Sequence, residues 1–115
     1  MKRDAADLLP LSPPMFHVLV ALADGDTHGY AIMKEVERLT SGAVRLSTGT
    51  LYGIIKRLLA DGLIRETAVP TTRGDERTRR SYVLTPFGKD VARAEAARLE
   101  QTIAIARRKP LFRRA

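Results

Sequence analysis

Few side chains in this chain are placed to do bond-breaking chemistry. There are two histidines, His17 and His28, and no cysteine. The missing thiols remove disulfides, thiol catalysis and thiolate metal sites together. A nucleophile–base arrangement needs a Ser, Cys or Lys set beside a general base, and neither histidine falls in such a motif. No phosphate-cradling glycine loop is present. No group of carboxylates at ligand spacing accompanies either imidazole, so neither a metal nor a cofactor is expected. What does recur is hydroxyls and cations. Ser47, Thr48 and Thr50 lie together and are followed by Tyr52, Lys56 and Arg57; further on come Arg73, Arg77, Arg79 and Arg80. Hydroxyls, N–H groups at a helix start and arginines are the groups that hold phosphates and base edges. The chemistry on offer is recognition of a polyanion, and an enzyme is not expected.

The charge balance points the same way. The formal net charge is +7 over 115 residues, with a pI near 10.4. Met1 to Gly62 carries seven Lys/Arg against seven Asp/Glu, whereas Leu63 to Ala115 carries thirteen against six. A basic half on a small protein fits a polyanionic partner, although solubility alone would account for the charge equally well. The length fits one domain, 1–115, with one modest core. No apolar run is long enough to cross a bilayer, so no membrane partner is expected. The N-terminus lacks the apolar stretch of a secretion signal, and the expected location is the cytoplasm.

The elements that would position these groups follow from pattern. Ser12-Pro13-Pro14 opens a helix, with serine as N-cap and proline in the first turn. Met15 to Ala23 is apolar nearly all round and is expected to be buried, ending at Gly25. His17, inside that helix, is expected to be structural. A second helix is expected from about Gly29 to Thr40, with an apolar side of Tyr30, Ile32, Met33, Val36 and Leu39. A third starts after Ser47: Leu51, Ile54, Ile55, Leu58 and Leu59 fall at i, i+3, i+4, i+7 and i+8, which leaves Tyr52, Gly53, Lys56 and Arg57 on the opposite face. Leu63–Val69 and Arg80–Thr85 read as strands joined by a polar, glycine-containing tip. Thr85-Pro86 starts a fourth helix over about 86–109. Ala92, Ala96, Leu99, Ile103 and Ala106 give it the a/d stripe of a helix that packs on a partner helix. Pro110 should end it and leave a basic tail, 110–115.

The expected fold is therefore mainly α with a small β-hairpin: a winged helix-turn-helix core over about 11–89 plus a C-terminal dimerisation helix. In that arrangement the third helix enters the DNA major groove, and arginines on the wing reach the backbone or minor groove. Each residue also has a plain structural reading. Lys56 and Arg57 suit a solvated helix face, Tyr52 can pack on the hairpin, and the wing arginines can pair with Asp75 and Glu76. The co-occurrence of a basic helix face and a basic wing favours double-stranded DNA. The alternative is a winged-helix interaction module that binds protein or RNA.

His28-Gly29-Tyr30, Gly49-Thr50-Leu51-Tyr52, Leu58-Leu59-Ala60-Asp61-Gly62-Leu63-Ile64 and Arg80-Ser81-Tyr82-Val83-Leu84-Thr85-Pro86-Phe87-Gly88-Lys89 resemble the PadR family in order and spacing. The resemblance covers about Leu11 to Lys89. It implies a winged-helix homodimer that binds a near-palindromic operator and usually represses transcription. It places Gly49-Thr50-Leu51-Tyr52 at the start of the recognition helix, with Leu51 facing the core and Thr50 and Tyr52 at or near DNA. It starts the second helix at His28-Gly29-Tyr30, where Tyr30 is expected either to touch a phosphate or to pack, with packing favoured and the role of His28 left open. With one helix and a short tail after Pro86, the chain resembles the short form, which dimerises through the last helix and the N-terminal helix. Many members respond to small, often aromatic molecules, which makes such an effector a candidate partner.

Overall fold

Helix α1 (Pro13–Ala21) begins where Ser12 caps it, the Ser12 Oγ accepting from the Met15 N–H at 3.3 Å. Prolines at 13 and 14 are tolerated because first-turn N–H groups have no partner within the helix. This computed structural model describes residues 3–68 and 80–114. Arg73, Arg77 and Arg79 lie outside the described residues. Next come a two-residue strand β1 (Thr27–His28), α2 (Gly29–Leu39), α3 (Thr48–Ala60), β2 (Ile64–Ala68), β3 (Arg80–Leu84) and α4 (Pro86–Ala106).

Each helix start has a side-chain cap, which satisfies one otherwise orphaned N–H. Ser47 Oγ accepts from the Thr50 N–H at 3.1 Å. Thr85 Oγ1 accepts from the Gly88 N–H at 2.9 Å. At α2 the cap is an imidazole: His28 Nδ1 accepts from the Ala31 N–H at 3.3 Å. Between α2 and α3 the Thr40 hydroxyl donates to the Val36 carbonyl at 2.8 Å and accepts from the Val44 N–H at 3.0 Å. Gly42 there takes φ +82, which a residue with a Cβ rarely adopts.

The sheet has three strands in the order β1-β3-β2, all neighbours antiparallel. The wing hairpin pairs Ile64 with Leu84 and Glu66 with Tyr82. The third strand is absent from the sequence expectation: Thr27 pairs with Tyr82, and His28 with Ser81. Two residues carry no periodicity, and their partners lie far along the chain.

The core lies where α1, α2, α3, the first half of α4 and the sheet meet. Leu19, Leu22, Ile32, Val36, Leu51, Leu58, Leu63 and Val91 are fully enclosed, each worth about 1.5–3 kcal/mol relative to exposure. A joint under this core links the end of α3 to the start of α4. Thr85 Oγ1 donates to the Gly62 carbonyl at 2.6 Å, and the Thr85 N–H donates to Leu63 O at 3.0 Å. Gly88 packs directly on Leu63, and a Cβ at that position would overlap the Leu63 carbonyl.

Three expectations are corrected. Helix α1 is not buried all round: Val20 is exposed and Phe16 only half-buried, because that side faces an open groove beside α4. Tyr30 does not pack inward; it is 62% exposed, with the Lys34 ammonium 5.4 Å from its ring, since α2 buries Gly29, Ile32 and Val36 instead. Helix α4 ends at Ala106 rather than running to Pro110. Pro110–Phe112 forms a 3-10 turn, and the Arg113 guanidinium reaches back to the carbonyls of Arg107 and Arg108, both at 3.3 Å. A cation on the last carbonyls of a helix satisfies acceptors that lack N–H partners and complements the dipole.

Candidate nucleic-acid interface

Helix α3 turns one clean face to solvent. Leu51, Ile55 and Leu58 are buried, while Thr48, Gly49, Tyr52, Gly53, Lys56 and Arg57 are exposed. The helix start is a small hydroxyl cluster. Ser47 donates to the Thr50 Oγ1 at 2.9 Å while capping its N–H, which leaves the Thr48 and Thr50 side chains exposed beside the positive end of the helix dipole.

The cations on this surface differ in how they are held. Arg57 pairs with Asp61 one turn on, at 3.3 Å, and Arg80 with Glu66 across the hairpin, also at 3.3 Å. Both guanidiniums are largely exposed, so these pairs are weak and readily exchanged for a phosphate. Lys56 has no carboxylate partner among the described residues. A loosely paired Arg57 and a Lys56 with no carboxylate partner among the described residues therefore sit side by side on the exposed face.

Tyr52 is 48% exposed and lies across the start of α2: a Cβ built on Gly29 would stand 2.6 Å from its hydroxyl oxygen. Gly29 thus makes room for Tyr52, which gives a physical reason for finding His-Gly-Tyr together with Gly-Thr-Leu-Tyr. The phenol braces α3 against α2 and still offers an edge to solvent. The sequence placed Gly53 on this face and Gly49 at the helix start, but not the space around them. Gly49 and Gly53 lie on the exposed face with open space around them, nothing falling within 4 Å of an added Cβ. Glycine inside a helix is unfavourable by about 0.5–1 kcal/mol relative to alanine, and nothing among the described residues explains either one.

The expected α4 stripe divides into two parts. Ala92 and Ala96 are half-buried and line, with Phe16, Leu19 and Val20, an apolar groove of about 400 Å³ between α1 and α4. Leu99 and Ile103 stand 39% and 48% exposed, and Ala106 is half-buried at the helix end. The core-facing side of α4 is Gly88, Val91 and Glu95. Glu95 was invisible in sequence, because in a run of Ala, Arg and Glu it looks like a solvated residue; it is in fact buried.

The profile of the transcriptional regulator PadR-like family matches residues 18–94. An uncharacterized 37.1 kDa protein in transposon TN4556 of Streptomyces fradiae is 39% identical over 79 residues, covering 69% of this chain and 21% of that protein, so the chain spans only a fraction of that relative's length. Transcriptional regulator Rv3488 of Mycobacterium tuberculosis is 37% identical over 86 residues, 74% of each protein. The crystal structure of Bacillus subtilis PadR in complex with operator DNA aligns with a TM-score of 0.65 at 21% identity, covering 74% of this chain and 47% of that one; the likeness there is one of fold.

Proposed function

Because the chain belongs to the PadR-like family of transcriptional regulators, we propose that it binds a near-palindromic operator in double-stranded DNA as a homodimer and represses transcription. The observation that carries this reading is the exposed face of α3. Hydroxyls at its positive end, Tyr52, Lys56, Arg57 and two uncrowded glycines share one surface. A helix enters the major groove with such a face, and glycine allows close approach of the backbone. Thr48, Thr50 and Ser47 serve the first phosphate or base edge, and Lys56 and Arg57 reach phosphate or guanine. Arg80, with Arg73, Arg77 and Arg79, serves the flanking backbone or minor groove.

The dimer uses Ala92, Ala96, Leu99, Ile103 and Ala106 of α4. A two-fold pair of recognition helices then spans about one DNA turn, roughly 34 Å.

The test is selection from a pool of random duplex DNA at near-physiological salt, followed by sequencing of what is retained. Enrichment of a two-fold-symmetric motif is the expected result. Retention without any motif, lost as salt rises, would overturn the reading and leave a winged-helix module for protein or RNA.

A further inference from the structure

Glu95 is 1% exposed, yet it is a carboxylate. Its Oε2 accepts from the Leu11 N–H at 2.8 Å and from Arg98 Nη2 at 3.2 Å, while Oε1 accepts from Arg98 Nε. Leu11 directly precedes the Ser12 cap of α1, so this one side chain ties the start of α1 to the middle of α4, 84 residues apart in sequence. Glu95 is also the last buried position along α4; beyond it the helix leaves the core and carries the exposed Leu99 and Ile103. The carboxylate therefore stands at the point where α4 departs from the winged-helix body.

We propose that Glu95, held by Arg98, is a positioning residue that fixes the angle of α4 on the core and so sets the separation of the two recognition helices. This rests on the homodimer reading above. If α4 joins the two copies, each winged-helix body is carried on a lever that starts at this joint. Ala96 to Ala106 spans about 16 Å at a rise of about 1.5 Å per residue. A tilt of about 10° over that length moves its far end by about 3 Å, close to the roughly 3.4 Å rise between base pairs. An apolar residue at position 95 would pack but would accept no hydrogen bond from Leu11, and bonds to a charged acceptor are the shorter, more directional kind.

The test uses the full chain and the operator motif selected above, with the half-site spacing varied in single base-pair steps and with an isolated half-site as reference. Glu95→Ala, Glu95→Gln and Arg98→Lys are each measured for affinity and for thermal midpoint. Glu95→Ala is expected to weaken the best-spaced operator by roughly tenfold and to level the spacing profile, with half-site affinity changed by less than about twofold. Glu95→Gln, which still accepts from Leu11, is expected to restore much of the profile. Arg98→Lys keeps a cation beside the buried carboxylate but gives up the two-point guanidinium contact, and it is expected to broaden the profile even if Glu95→Ala does not fold. A lowered midpoint with an unchanged profile in all folded variants would make the residue merely structural and overturn the inference. A wild-type chain with no two-fold motif would instead overturn the homodimer reading, and this one with it.

Discussion

The Glu95 carboxylate is out of water, and the Arg98 guanidinium beside it holds its carboxyl below the ordinary range; the Leu11 N–H acts in the same direction, against the opposing effect of burial. A carboxyl whose pKa falls on folding binds its proton less readily in the native state than in the unfolded chain. Its stabilisation is present above the unfolded carboxylate's pKa and is lost as pH falls through the lower, folded value. The thermal midpoint is therefore expected to fall as pH drops through and below the ordinary glutamate range, and the fall should be shallower in Glu95→Gln, which has no carboxyl to protonate. Equal slopes in the two proteins would show that other carboxylates control acid stability. Removing the side chain altogether strands a buried Leu11 N–H, at a loss of about 1–3 kcal/mol. Arg98 is itself partly exposed and returns to water, so the larger penalty of an abandoned buried charge does not arise. Tyr52 makes the same point about single residues: its position on the outward face of α3 was readable, but its contact with Gly29 needed the fold.

At the scale of the element, α3 was the most legible part of the chain. Its buried stripe recurs at helical spacing, and Ser47 marks its start. The two glycines on its open face are where stability and recognition part company. Gly53→Ala is expected to raise the thermal midpoint, since alanine is the better helix former by about 0.5–1 kcal/mol and nothing crowds the new methyl. The same change is expected to weaken operator binding, because the methyl projects from the surface offered to DNA. A variant that is more stable and binds equally well would show that DNA does not approach α3 at that point. The caps at Ser12, Ser47 and Thr85 were also legible, because hydroxyl residues before a helical pattern have one common use. The His28 cap and β1 were not. An imidazole cap has no strong pattern, and a two-residue strand exists only because β3 supplies its partners.

At the scale of the whole molecule, α4 ends in an apolar surface that none of the described residues covers. Leu99 and Ile103 are exposed, and the groove lined by Phe16, Val20, Ala92 and Ala96 opens on the same helix. A second copy would remove this surface from water, which is the main favourable term in association. Ile103→Glu is expected to leave the winged-helix core folded, because the residue lies outside the buried set, while shifting the protein toward monomer in sedimentation or light scattering. Operator affinity should fall with it, because two half-sites then bind independently. A dimer of unchanged strength would place the interface elsewhere.

Periodicity, capping residues and charge made the order of helices and strands, the basic face of α3 and the absence of thiol chemistry legible in the sequence, because those properties are local. Tertiary structure alone decided what depends on distant partners: β1 on the sheet, Tyr52 over Gly29, Gly88 against Leu63, and Glu95 in the core. Each is a contact between segments remote in sequence. Whether a polar side chain is solvated or buried there depends on what the rest of the chain brings beside it.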